Sequence, residues 1–105
     1  MMTMQILDEL DELKATLRML IELSLNIQGM NVTWLYRVME ETYSIGRSAV
    51  DTSYKALVEA GLVESYDAKG SRSNYKVITL TKLGNEVMQK IREIERIMVN
   101  AARIT

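Results

Sequence analysis

The stretch from Thr33 to Val63 constrains the chain most. It holds two segments of helical periodicity separated by a short break at Tyr43-Ser44-Ile45, and Gly61 stands directly before Leu62-Val63. At about 100° per residue, Val50, Tyr54 and Leu57 of the second segment share one narrow arc and mark a core-facing stripe. Arg47, Ser48, Asp51, Thr52 and Lys55 gather on another face, which carries two cations, short hydrogen-bonding side chains and no large apolar residue. Such a face suits a helix in a DNA major groove, where hydroxyls and cations meet phosphates and Arg, Ser or Thr reach base edges. A plain solvated helix face has a similar composition, so the surrounding elements must decide between the two.

After Gly61, Leu62 to Asp67 reads as a strand with an imperfect period of two. Ala68 to Asn74 is polar and turn-prone, and Tyr75 to Leu80 is a second strand rich in β-formers. The two form a hairpin whose tip region carries Lys69, Ser71, Arg72 and Ser73, with Lys76 behind it. A tip of this kind fits along a phosphate backbone or places an arginine in a minor groove. The chain leaves the hairpin through Leu80-Thr81-Lys82-Leu83-Gly84, with Thr81 as a helix cap and Gly84 as a point of close backbone approach.

Taken together, these residues resemble the winged helix-turn-helix of MarR- and PadR-type regulators. The family pattern is a short turn, then Ser-Lys/Arg-Ser-x-Val, a leucine seven residues on, and Gly-Leu-Val/Ile. Arg47, Ser48, Val50, Leu57, Gly61, Leu62 and Val63 stand at those places, and Leu80-Thr81 with Gly84 matches the exit from the wing. The departure is Gly46, where the family usually has a capping Ser or Thr. Either the cap moves to Ser44 or the helix starts more loosely. The resemblance spans about Thr33 to Gly84. It implies a mainly α fold with a small β-hairpin, long terminal dimerisation helices, and a homodimer that binds double-stranded DNA to regulate transcription. On that reading the recognition helix contributes Arg47, Ser48, Asp51, Thr52 and Lys55, and the wing Lys69, Ser71, Arg72, Ser73 and Lys76. Asp51 either accepts from a cytosine amino group or orders Arg47.

Both ends of the chain are strongly periodic. Thr3 to Gln28 predicts a long amphipathic helix striped by Ile6, Leu10, Leu13, Leu17, Leu20 and Ile27. Gly29 stops it. Met30-Asn31-Val32 is a candidate first strand, and Asn31 or Thr33 a candidate cap for a helix to Thr42 that turns Leu35, Val38 and Met39 inward. Trp34 and Tyr36 fit either core or surface. From Lys82 to Ala102, Val87, Ile91, Ile94, Met98 and Ala101 form a short heptad pattern. We read this, with Leu10 and Leu13 of the first helix, as a dimer seam; packing of first helix on last within one chain is the alternative.

Composition limits the remaining choices. The 105 residues suit one domain, divided as 1–28, 29–80 and 81–105. Formal net charge is −1, from 13 Lys and Arg against 14 Asp and Glu, but local distribution matters more: between Gly46 and Lys82 cations outnumber anions only slightly, so binding to DNA should be weak unless two copies act together. The alternative function is a winged helix that docks on proteins within a transcription or replication assembly. With no Cys and no His, thiolate, zinc-finger and histidine chemistry are excluded, and no phosphate loop or framed carboxylate pair points to an enzyme. No cofactor is expected. No apolar run is long enough for a bilayer and no leader pattern opens the sequence, so the expectation is a cytoplasmic chain without a membrane partner. Met19, Met30, Trp34, Tyr36 and Met39 either line an effector pocket or serve as ordinary core; the sequence names no effector.

Overall fold

The computed structural model describes residues 15–26 and 28–104. Its first described helix, α1 (Thr16–Ser24), buries Thr16, Met19, Leu20 and Leu23. The stripe read from the sequence ran through Leu17, but that side chain is exposed, because the protein body lies under the Met19 and Leu23 side of the helix. Ile6, Leu10, Leu13 and Ile27 lie outside the described residues. The helix stops at Ser24 rather than near Gln28. The Ser24 hydroxyl donates to the Ile21 carbonyl and the Asn26 amide to the Glu22 carbonyl, so side chains compete with further helical bonding.

Gly29 follows with φ +93, and a Cβ there would stand 2.7 Å from the Val77 side chain and 2.9 Å from the Ile78 carbonyl. The chain thus passes over a strand into β1 (Met30–Asn31), where Met30 faces Ile78 and Asn31 faces Val77 across an antiparallel pair. Asn31, rather than Thr33, caps the helix α2 (Val32–Tyr43): its side-chain oxygen accepts from the Thr33 N–H at 2.8 Å. Leu35 and Met39 are buried as expected, and Val38 is half-buried.

The turn explains the unusual residue at the next cap. Ser44 is left-handed at φ 56 and closes α2, with the Ile45 N–H bonded to the Met39 carbonyl at 3.1 Å. Ile45 is thereby turned into the core. Because Ser44 ends one helix, it does not begin the next. Gly46 is the N-cap of α3 (Arg47–Glu59) and supplies no side-chain bond, so the looser of the two starts is the one found. Val50, Ser53 and Leu57 are buried and Tyr54 is half-buried.

Gly61, at φ +76, ends this unit, with the Leu62 N–H returning to the Leu57 carbonyl at 3.0 Å. β2 (Val63–Lys69) and β3 (Asn74–Leu80) then pair antiparallel from Val63–Leu80 out to Lys69–Asn74. Both reach further than the sequence pattern indicated. Ala68, Lys69 and Asn74 belong to the ladder, and the turn is reduced to residues 70–73, closed by a Gly70 N–H bond to the Ser73 carbonyl at 3.1 Å. The sheet order is β1-β3-β2.

The last helix, α4 (Lys82–Ile104), is capped by Thr81, whose hydroxyl oxygen accepts from the Gly84 N–H at 3.0 Å. Met88 is buried, and Val87 and Ile91 pack partly against the common core. Beyond them Ile94, Ile97 and Met98 are exposed and the helix runs past the body. The Cα radius of gyration of 15.3 Å reflects this, against about 13 Å for a compact chain of ~100 residues. The arrangement is a winged helix-turn-helix, mainly α with a small antiparallel sheet.

Candidate functional site

On α3, Arg47, Ser48, Thr52 and Lys55 are exposed, as the periodicity predicted. The Thr52 hydroxyl donates to the Ser48 carbonyl at 3.0 Å, which fixes its rotamer and leaves oxygen lone pairs toward solvent. Asp51 differs. It is half-buried, and its carboxylate accepts a hydrogen bond from the Tyr36 hydroxyl on α2. The Arg47 guanidinium lies over the same tyrosine ring, 4.8 Å from its centroid. Tyr36 therefore contacts two of the five residues assigned to the recognition face. The sequence allows Tyr36 either core or surface and carries no signal for this role, since the cation next to it in the chain, Arg37, stands over Trp34 instead.

The same construction recurs seven residues along α2. The Tyr43 hydroxyl donates to the Glu22 carboxylate on α1, and Arg18 stands 5.0 Å from the Tyr43 ring centroid. In each case the cation precedes the carboxylate by four residues on the neighbouring helix. The hydrogen bond to Glu22 raises the Tyr43 pKa above 10.0, helped by burial and by the Glu22 charge, while Arg18 opposes it. Helix α2 is thus tied to α1 through Tyr43 and to α3 through Tyr36.

The wing residues Lys69, Ser71, Arg72, Ser73 and Lys76 are all exposed, with Ser71, Arg72 and Ser73 on the turn itself. Strand alternation puts Lys69 and Lys76 on the sheet face that carries Ile78 and Leu80. Asp67 sits directly opposite Lys76 on that face, so one anion stands among the wing cations. Among the described residues, none of Lys55, Lys69, Arg72 or Lys76 takes part in an ion pair. The other sheet face bears an open groove of about 400 Å³ that includes Gly29, Asn31, Tyr66, Tyr75 and Val77. There the Tyr66 hydroxyl donates to the Gln28 carbonyl at 3.2 Å and ties the wing to the start of β1.

Of the residues grouped as pocket or core, Met19, Met30 and Met39 are close-packed core. Trp34 is neither: it is 53% exposed, with the Arg37 guanidinium 5.9 Å from its ring centroid. The buried stripe of α2 passes through Leu35 and Met39, which leaves positions 34 and 37 on the outer side. Of the seam residues, Val87 and Ile91 are partly covered by their own chain, whereas Ile94, Met98 and Ala101 are exposed. Among the described residues no group of three or more His, Cys, Asp or Glu is placed to hold a metal ion. No described helix is long and apolar enough to cross a membrane.

Comparison with solved structures gives the same architecture. A MarR-family protein from Porphyromonas gingivalis W83, assigned as a transcriptional regulator, superposes with a TM-score of 0.65 at 21% identity, over 87% of this chain and 83% of its own. A transcriptional regulator homologue from Pyrococcus horikoshii OT3 gives 0.64 at 16% identity, over 94% and 98%. A PadR-family transcriptional regulator from Eggerthella lenta DSM 2243 gives 0.55 at 20% identity, over 89% and 83%. No family model and no curated relative matches the sequence. At these identities the likeness establishes the shared winged helix-turn-helix fold.

Proposed function

We propose that this chain is a sequence-specific transcription regulator that binds double-stranded DNA as a homodimer. The observation that carries the reading is the outer face of α3, where Arg47, Ser48, Thr52 and Lys55 are exposed together, on a fold that also presents Arg72 at a wing tip. Helix α3 enters a major groove, Arg47 and Ser48 reach base edges, Lys55 meets phosphate, and the wing lies on the backbone or in the minor groove. Near-neutral net charge makes one copy a weak binder, so the reading needs two. The exposed Ile94, Met98 and Ala101 of α4 offer the surface that pairs them, and two recognition helices about 34 Å apart would address a pseudo-palindromic site.

The test is a titration of the chain against a mixed duplex pool at two salt concentrations, with the mass of the complex followed alongside. Two chains per duplex and affinity that falls steeply with salt support the proposal. A folded dimer with no DNA affinity at low salt rejects it. A second reading, docking on another protein, is favoured by one feature: an exposed Trp34 beside Arg37 has the composition of an interface anchor.

A further inference from the structure

We infer that Tyr36, which lies off the recognition helix, is a positioning residue that determines which bases α3 reads. The inference rests on the DNA-binding reading above and deepens it. Two of the candidate base readers on α3, Arg47 and Asp51, share this one side chain of α2. The Tyr36 hydroxyl donates to the Asp51 carboxylate, and the Arg47 guanidinium lies 4.8 Å from the ring centroid. Each contact removes a freedom. A carboxylate that accepts this half-buried hydroxyl has one oxygen engaged by α2 and is restrained against swinging toward a base. A guanidinium stacked on a ring keeps its plane fixed while its N–H groups remain free at the edge.

The consequence is selective. Free Asp51 would accept from a cytosine amino group, and free Arg47 would sample several phosphates as well as guanine. Held by Tyr36, Asp51 is withdrawn from the bases and Arg47 is pre-aimed, so a guanine is read through Arg47 and no cytosine is read through Asp51. Helix α2 thereby edits the sequence preference of α3 without touching DNA. Tyr43, with Glu22 and Arg18, is the same device turned away from α3. That placement separates the purely architectural use of the motif from the one beside the bases.

The experiment is selection from a random duplex pool with the full chain, its Tyr36→Phe variant, Asp51→Asn, and the double variant. Tyr36→Phe keeps the ring under Arg47 and removes only the hydroxyl. It should retain affinity for bulk DNA and acquire a cytosine preference in each half-site of about tenfold. Asp51→Asn alone, whose amide oxygen still accepts from Tyr36, should select the same site as the unaltered chain. In the double variant, whose freed amide pairs best with adenine, the cytosine preference should give way to adenine. Identical selected sites from Tyr36→Phe and the unaltered chain overturn the inference. So does an altered site from Asp51→Asn alone, and that measurement decides the matter if Tyr36→Phe does not fold. An unaltered chain with no salt-sensitive affinity for any duplex rejects the DNA reading itself, and this inference with it.

Discussion

The carbonyl oxygen of Leu62 occupies the space that a Cβ on Gly84 would need. The two backbones meet there because the Thr81 N–H donates to the same Leu62 carbonyl at 3.0 Å, while the Thr81 hydroxyl donates to the Gly61 carbonyl at 2.5 Å. The end of the helix-turn-helix unit is thus fastened to the cap of α4 by the main chain and the hydroxyl of Thr81.

Gly84→Ala tests that contact with an inverted sign. In an open helix the change should stabilise by roughly 1 kcal/mol. Here the new methyl group meets a backbone oxygen, and Leu62, bonded to Leu57 and Thr81 between α3 and β2, cannot yield cheaply. Overpacking of this kind costs typically 1–3 kcal/mol or more, so we expect a net loss of stability in urea unfolding. A variant as stable as the parent, at equal protein concentration, would show that the approach of Leu62 to Gly84 is not fixed.

Ser53 presents the opposite case. Its side chain is fully buried on α3, and among the described residues its hydroxyl has no hydrogen-bond partner. A buried unpaired polar group costs about 1–3 kcal/mol, and alanine is also the better helix former by a few tenths of a kcal/mol. Ser53→Ala should therefore raise the melting temperature, by about 4–8 °C for each kcal/mol gained. A lowered melting temperature would mean that the hydroxyl is satisfied.

Tyr43 predicts a pH dependence. Its protonated hydroxyl is the donor to Glu22, and its folded-state pKa lies above the ordinary 10.0. A raised folded value means that the stabilisation is fully present below the unfolded pKa and is lost as pH climbs through the folded one. The stability difference between the parent and Tyr43→Phe should be constant from neutral pH to about pH 10.0 and shrink beyond it. Chemical unfolding across that range checks this, and a difference that grows with alkalinity contradicts it.

Much of this fold was legible because its turning points are chemically narrow. Gly29 and Gly61 stand where φ is positive, Thr81 caps α4, and Val50 and Leu57 lie on the buried arc. What escaped were matters of phase and of partnership. A helix with apolar residues on more than one side does not say which side is covered: the periodic stripe includes Leu17, which is exposed, and passes over Leu23, which is buried. Ser44 offered a cap to the following helix, yet a left-handed residue was needed to end the preceding one. Asp51 belonged to the polar arc of α3 by periodicity, but its partner lies on another helix, and no spacing within α3 reveals Tyr36.

The wing supplies the last prediction, which applies if the chain binds DNA. Arg72 lies on the exposed turn, whereas Asp67 faces Lys76 across the ladder. Removing one phosphate contact reduces the slope of log affinity against log salt by about 0.9. Arg72→Ala in a dimer should thus flatten it by roughly twice that and weaken binding to all sequences alike. Arg47→Ala should instead cost about 1–3 kcal/mol of discrimination if its contact with guanine is bidentate. Asp67→Asn should tighten binding, because it lifts an anion away from Lys76 and Lys69; an exposed charge pair is worth about 0.2–1 kcal/mol, a gain of up to several-fold per chain. Equal affinity and equal salt slope for all three variants and the parent would remove these residues from the interface.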